Sequence, residues 1–208
     1  MVHQHGPSSC RSASPVYNWR RTIGKTVGPD GSRLDVKGTI PDLDWVAWQD
    51  RKVVIAYDTD AVTKATVRIA RAELAAHLRG RGCRRIFTVG FCFGGRNSWL
   101  AAAADHGLAG AVGFYGRPGG GRDGTPGPIQ LAGELKAPIL ALQAGADQNI
   151  TADDNAAFEA ALQGAGVEHE VVTYPGAPHS FFDRKQEEFT AASDDAWAKV
   201  LAFIEAHS

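Results

Sequence analysis

A single α/β domain, built on a mainly parallel sheet with helices on both faces, is the fold class this sequence predicts. Three observations carry it. From Val53 onward, short apolar and β-branched runs alternate with segments of helical period, the pattern of parallel strands joined by crossover helices. One strand-to-helix transition is bracketed by glycines around a cysteine, Gly90-Phe91-Cys92-Phe93-Gly94. The length of 208 residues and a 44% hydrophobic content suit one core, so residues 1–208 are read as one domain.

Met1 to Asp50 contains few strand-like runs. Residues 1–29 carry no acid but include Arg11, Arg20, Arg21 and Lys25, which is transit-peptide composition without an amphipathic period. Residues 1–52 are therefore read as an atypical front, disordered or truncated, with early strands missing or irregular, and 53–208 as the core. Val53–Tyr57 is the first strand. Val67, Ala70, Leu74 and Leu78 recur at helical spacing, with Arg68, Arg71, Glu73 and Arg79 on other faces, and Gly80 stops that helix. Arg79, Arg81, Arg84 and Arg85 read as a solvated helix end.

Arg85–Val89 is the next strand and Gly95–Ala104 the helix after it. Ala111–Tyr115 is a strand that empties into a glycine and proline loop reaching Gly127, read as a mobile segment over the mouth of a site. Its Gly119-Gly120-Gly121 tract is not a phosphate cradle, because no Gly-Lys-Ser or Gly-Lys-Thr follows. Pro138–Gln143 is a buried strand, Thr151-Ala152-Asp153-Asp154 caps the following helix, and Glu170–Tyr174 is the last strand. At the end Trp197, Val200, Leu201 and Ile204 form an apolar helical stripe, expected to face the core.

The glycine-bracketed cysteine carries the chemistry. Strand, sharp turn and helix form the context of a nucleophile elbow, with sulfur in place of the more common serine oxygen. The turn holds the nucleophile in a sparsely populated backbone conformation, so flanking positions must be small, and Gly90 and Gly94 meet that need. A helix N-terminus and a nearby imidazolium both favour thiolate over thiol. The plainer alternative, a small buried hydrophobe, is weaker because the glycines are in register.

Partners for the thiol lie downstream in the order Cys, Asp, His that α/β-hydrolase triads follow. Asp147 sits on the loop leaving Pro138–Gln143, and an acid at a strand's carboxyl end belongs to the catalytic face of such a sheet. His179 lies on the loop leaving Glu170–Tyr174, between Pro178 and the Phe181-Phe182 pair. Of the seven histidines, His3, His5, His77, His106, His169 and His207 fall in the tail, on helices or in polar flanks.

Together, Gly90-Phe91-Cys92-Phe93-Gly94-Gly95, Gly145-Ala146-Asp147 and Pro178-His179-Ser180-Phe181 resemble the dienelactone hydrolase family, cysteine hydrolases of the α/β-hydrolase superfamily. The resemblance runs from about Thr63 to the C-terminus. It implies an α/β-hydrolase fold in which Cys92 is the nucleophile, His179 the general base, Asp147 its orienting acid, and the Phe93 backbone N–H one half of the oxyanion hole. It also implies a cationic anchor for a carboxylate on the substrate. Arg184, one position past where the family's arginine falls, and Arg96 are the two candidates. The family's early glutamate has no counterpart, since no Glu precedes Glu73, and no stand-in is assigned among Asp42, Asp44 and Asp58.

A net charge of −1, with no basic stripe, excludes nucleic acid as the expected partner. No run is long and apolar enough to span a membrane, and the opening Met1-Val2-His3-Gln4-His5-Gly6-Pro7 lacks the apolar core expected of a signal peptide. Three cysteines, Cys10, Cys83 and Cys92, are odd in number and far apart, which points to the cytoplasm rather than a disulfide framework. No cofactor and no metal is expected, as His3 and His5 alone make no site. The expected function is hydrolysis of a small ester or lactone by a Cys-His-Asp triad through an acyl-thioester, with the oligomeric state left open. Two other readings are a catalytically silent homologue acting as an interaction or remnant protein, and a redox switch at Cys92, for which no suitably spaced resolving cysteine exists.

Overall fold

A computed structural model describes residues 20–39, 48–57, 65–104, 107–121 and 123–208, with the side chains of Arg20, Tyr57 and residues 65–71 outside that description. The strands are β1 (Arg20–Val27), β2 (Arg33–Thr39), β3 (Lys52–Tyr57), β4 (Arg85–Phe91), β5 (Gly110–Phe114), β6 (Ile139–Ala144) and β7 (His169–Tyr174). The helices are α1 (Ala65–Gly80), α2 (Phe93–Ala102), α3 (Ala152–Gly164) and α4 (Thr190–Ala206). β3 to β7 pair in sequence order as a five-stranded, wholly parallel sheet.

Alternation along the central strands sorts the core into two layers. Ile86, Ala111, Ile139 and Ala141 face α1, α2 and α3 through Leu74, Leu78, Trp99, Phe158 and Leu162. Phe87, Val112, Leu140 and Leu142 face α4 through Ala196, Val200 and Phe203. Every residue of β5 and β6 is buried, as expected for strands covered on both sides. Trp99 is fully buried, donates its indole N–H to the Leu140 carbonyl at 3.1 Å, and occupies the space that a side chain at Gly113 would need.

One sequence expectation is corrected here, and the front of the chain holds an element the sequence did not specify. β1 and β2 form an antiparallel hairpin around Gly28-Pro29-Asp30-Gly31-Ser32, where Gly31 takes φ 76° and Asp30 accepts the Ser32 N–H. The hairpin is a sheet of its own, outside the parallel one. Its strands alternate charge with apolar residues, and Asp35 pairs with both Lys25 and Lys37, so the expected apolar run is missing. The corrected expectation is the C-terminal stripe, which is rotated. The buried line of α4 is Ser193, Ala196, Val200 and Phe203, which leaves Trp197 46% and Leu201 52% exposed. Trp197 rests against Phe182 instead, with ring centroids 6.0 Å apart. On α1, Leu74 and Leu78 are buried as expected, while Val67 and Ala70 lie among the undescribed side chains.

Candidate active site

β4 ends at Phe91 and α2 begins at Phe93, so Cys92 alone makes the bend, with φ 54° and ψ −117°. This is a strained conformation for a residue with a side chain. The space for it comes from glycines on either side. A Cβ at Gly90 would lie 2.0 Å from the Gly94 carbonyl oxygen, and one at Gly95 would lie 2.7 Å from the Phe114 carbonyl oxygen. The Cys92 N–H is satisfied by Phe114 at 3.0 Å, which ties the elbow to the end of β5.

The loops after β6 and β7 are laced together beyond the strand ladder. Gly145 N–H donates to Tyr174 O and Ala146 N–H to Ala177 O, each at 2.9 Å, and a side chain at Gly145 would collide with the Tyr174 backbone. This register brings Asp147 and His179 together. Nδ1 of His179 donates to Asp147 Oδ2 at 2.5 Å. The second carboxylate oxygen accepts the N–H groups of Asn149 and Ile150, so the acid, its side chain 1% exposed, has both oxygens engaged. With Nδ1 committed, Nε2 is the nitrogen left for sulfur.

The thiol and the imidazole are hydrogen-bonded, and each shifts the other. The bond from His179 holds the Cys92 thiol below its ordinary pKa, with further help from the imidazolium charge and the Phe93 N–H, against opposition from burial. The same bond, reinforced by Asp147, lifts His179 to about 9 against desolvation. A thiolate and imidazolium facing each other is a pair suited to attack on an electrophilic carbon. Phe91, Phe114 and Phe182 stack beside it as an apolar wall, with centroids 4.6 to 5.6 Å apart.

Thus the structure brings Cys92, Asp147 and His179 together with the Phe93 N–H. The two arginines part company. Arg184 is exposed on the histidine loop, five residues past His179. Arg96 is 5% exposed, and its guanidinium donates to the carbonyls of Arg117, Gly119 and Pro126. It therefore clamps the loop after β5 rather than standing free for a carboxylate. That loop is not loose: Gly121 and Thr125, Ile129 and Pro118, and the Gln130 side chain with Gly127 N–H also close it internally. Asp42, Asp44, Asp58 and the loop leaving β3 lie outside the described residues. Two residues at this face had no sequence signal beyond a lone aromatic and a lone acid: Tyr115, whose ring lies 5.0 Å from that of His179, and Asp183, which accepts the Tyr115 hydroxyl.

Comparison with known proteins gives this geometry a context. A model of the dienelactone hydrolase family matches residues 47–208. A relative from Methylorubrum extorquens (strain AM1), named as a candidate carboxymethylenebutenolidase, is 34% identical over 211 residues, covering 96% of this chain and 66% of the relative. A similarly named relative from Escherichia coli (strain K12) is 33% identical over 132 residues, or 62% of this chain. The chain spans about half, 49%, of that relative's length. The crystal structure of a candidate dienelactone hydrolase from Klebsiella pneumoniae superposes with a TM-score of 0.60 at 29% identity, covering 68% of this chain and 61% of the other.

Proposed function

Because the chain belongs to the dienelactone hydrolase family, we propose that it hydrolyses a small carboxylic ester or lactone through an acyl-thioester on Cys92. The observation that supports this reading above all is the 2.5 Å contact of His179 with Asp147 beside a thiol whose pKa is lowered by the same histidine. The thiolate attacks the carbonyl carbon, the carbonyl electron pair moves to oxygen, and the Phe93 N–H donates to the resulting oxyanion. Collapse expels the alkoxide, which takes the proton from the His179 imidazolium. In a lactone that oxygen stays attached to the acyl chain. Neutral His179 then removes a proton from water, the hydroxide attacks the thioester, and the acid leaves as Cys92 returns to thiolate. One water is consumed for each ester opened.

Names of the relatives direct the first choice of substrate to a lactone that carries a carboxylate, a carboxymethylene butenolide. Of the two candidate arginines, exposed Arg184 is the one left for such a group, since Arg96 is engaged by the loop. Unpaired Cys83 and Cys92 support a reducing compartment, and the cytoplasm is the location proposed. No helix among the described residues is long and apolar enough to cross a membrane.

Incubation with a carboxylated lactone or an aryl ester, followed by rapid quenching and intact mass measurement, tests the mechanism. An acyl adduct is expected on the parent and none on Cys92→Ala. Cys92→Ser is expected to retain little turnover, because oxygen is the poorer nucleophile at neutral pH. Turnover by Cys92→Ala at the parent rate would refute the reading.

A further inference from the structure

Tyr115 is not used by the chemistry above, yet it touches the histidine loop at His179, Phe181 and Asp183. It follows β5 directly, is fully buried, and takes φ 36°, in the left-handed region that a residue with a side chain seldom occupies. Among the described residues, four that are not glycine have positive φ, and three of them, Cys92, Tyr115 and Ser180, lie at this face. Strain of that kind persists only where the surroundings hold it in place.

The Tyr115 ring meets Phe91 and Phe114, with centroids 6.4 and 6.1 Å away, and it grips the stretch 179–183 at three points. Its ring lies 5.0 Å from that of His179, inclined at 58°, and 5.6 Å from that of Phe181, edge to face. Its hydroxyl donates to Asp183 Oδ1 at 3.0 Å. The same oxygen accepts the Arg184 N–H at 2.8 Å, and the Arg184 N–H also reaches the Ser180 carbonyl, closing the loop on itself. Burial and the Asp183 charge push the Tyr115 phenol far up, so it stays a neutral donor. The groups facing His179 are thus Cys92, Asp147 and Tyr115, with Asp183 behind the phenol.

The bond to Asp147 fixes one nitrogen of His179 but leaves the ring free to swing about that contact. Ser180, the next residue, is held at φ 64° and would relax if the far end of the loop were released. We propose that Tyr115, anchored through Asp183, is a positioning residue that keeps the His179 ring aimed at the Cys92 sulfur. The proposal rests on the reading of Cys92, Asp147 and His179 as a triad.

The test follows two readouts with pH, alkylation of Cys92 by iodoacetamide and ester hydrolysis, in the parent and in Tyr115→Phe, Asp183→Ala, Asp183→Asn, the double variant Tyr115→Phe/Asp183→Ala, and His179→Ala. Tyr115→Phe and Asp183→Ala are each expected to lower kcat/KM about tenfold, mainly through kcat, and to raise the pH at which the thiolate forms. Asp183→Asn keeps an acceptor oxygen and is expected to stay within about twofold of the parent. The double variant should be no worse than the more damaged single one, since both remove one shared interaction. If Tyr115→Phe fails to fold, surface-lying Asp183→Ala decides. Parent-like rates and thiolate midpoints in Tyr115→Phe or Asp183→Ala would overturn the positioning role. If His179→Ala also leaves the alkylation profile unmoved, the triad reading falls with it; if His179→Ala moves the profile and the clamp variants do not, the clamp alone falls.

Discussion

Replacing Gly90 with alanine tests whether the strained bend at Cys92 governs the chemistry. The added methyl would lie 2.0 Å from the oxygen and 2.2 Å from the carbon of the Gly94 carbonyl, whereas ordinary contact begins at 3.4 Å. Both obstacles are backbone, so no rotamer change relieves them, and the first turn of α2 must move by roughly 1 Å or more. Overpacking of this kind costs about 1–3 kcal/mol, which for a chain of this size lowers Tm by about 2–12 °C. Activity should suffer more. Displacement of a reacting atom by about 1 Å costs roughly 10²-fold, so kcat/KM is expected to fall about a hundredfold in molecules that remain folded. Gly133→Ala is the control, because a methyl there meets nothing within 4 Å. Circular dichroism melting and steady-state hydrolysis of an aryl ester provide the two measurements. Gly90→Ala with parent-like Tm and kcat/KM would show that the elbow is not tight, and the argument from strain at Cys92 would be wrong.

Two further outcomes follow from the same site. The ion pair exists only above the lowered pKa of the Cys92 thiol and below that of His179, so kcat/KM should fall as pH rises through about 9 and the imidazolium loses its proton; an unbroken plateau to pH 11 would contradict this. Removing the Arg96 guanidinium strands the carbonyls of Arg117, Gly119 and Pro126, so Arg96→Leu should cost roughly 3 kcal/mol in urea unfolding. Arg96→Lys should recover only part of that loss, because a single ammonium cannot span the fork of acceptors. A variant of parental stability would mean the clamp is dispensable.

What could be read from the chain, and what could not, divides by the range of the interaction concerned. The elbow was legible because its requirements are local: a side chain at Gly90 would strike Gly94, four residues away, and the letters around Cys92 record that collision. Asp147 and His179 were legible as positions, since each follows an apolar strand directly and a parallel sheet gathers such loops at one edge. The β1 and β2 hairpin was not, because its largely exposed strands alternate apolar residues with charges and form no continuous apolar run, and only the Gly28-Pro29-Asp30-Gly31-Ser32 turn marked it. On α4 the apolar stripe was wider than the face it buries, so the period identified the helix but not which of Trp197 and Val200 turns inward.

Polar side chains set the limit. An arginine in a helix of small residues reads identically whether it anchors a substrate or holds a loop, and the carbonyls that decide the matter for Arg96 are 21 to 30 residues away. The partner of Tyr115 lies 68 residues ahead, on a segment whose place is set by the order of β5, β6 and β7. Cys92, Asp147 and His179, proposed as nucleophile, acid and base, are marked by the turns that carry them, which are short-range features. The residues that aim them are named only by the fold, which is why the groups most open to dispute here are the ones whose substitution should change geometry while leaving the reacting atoms intact.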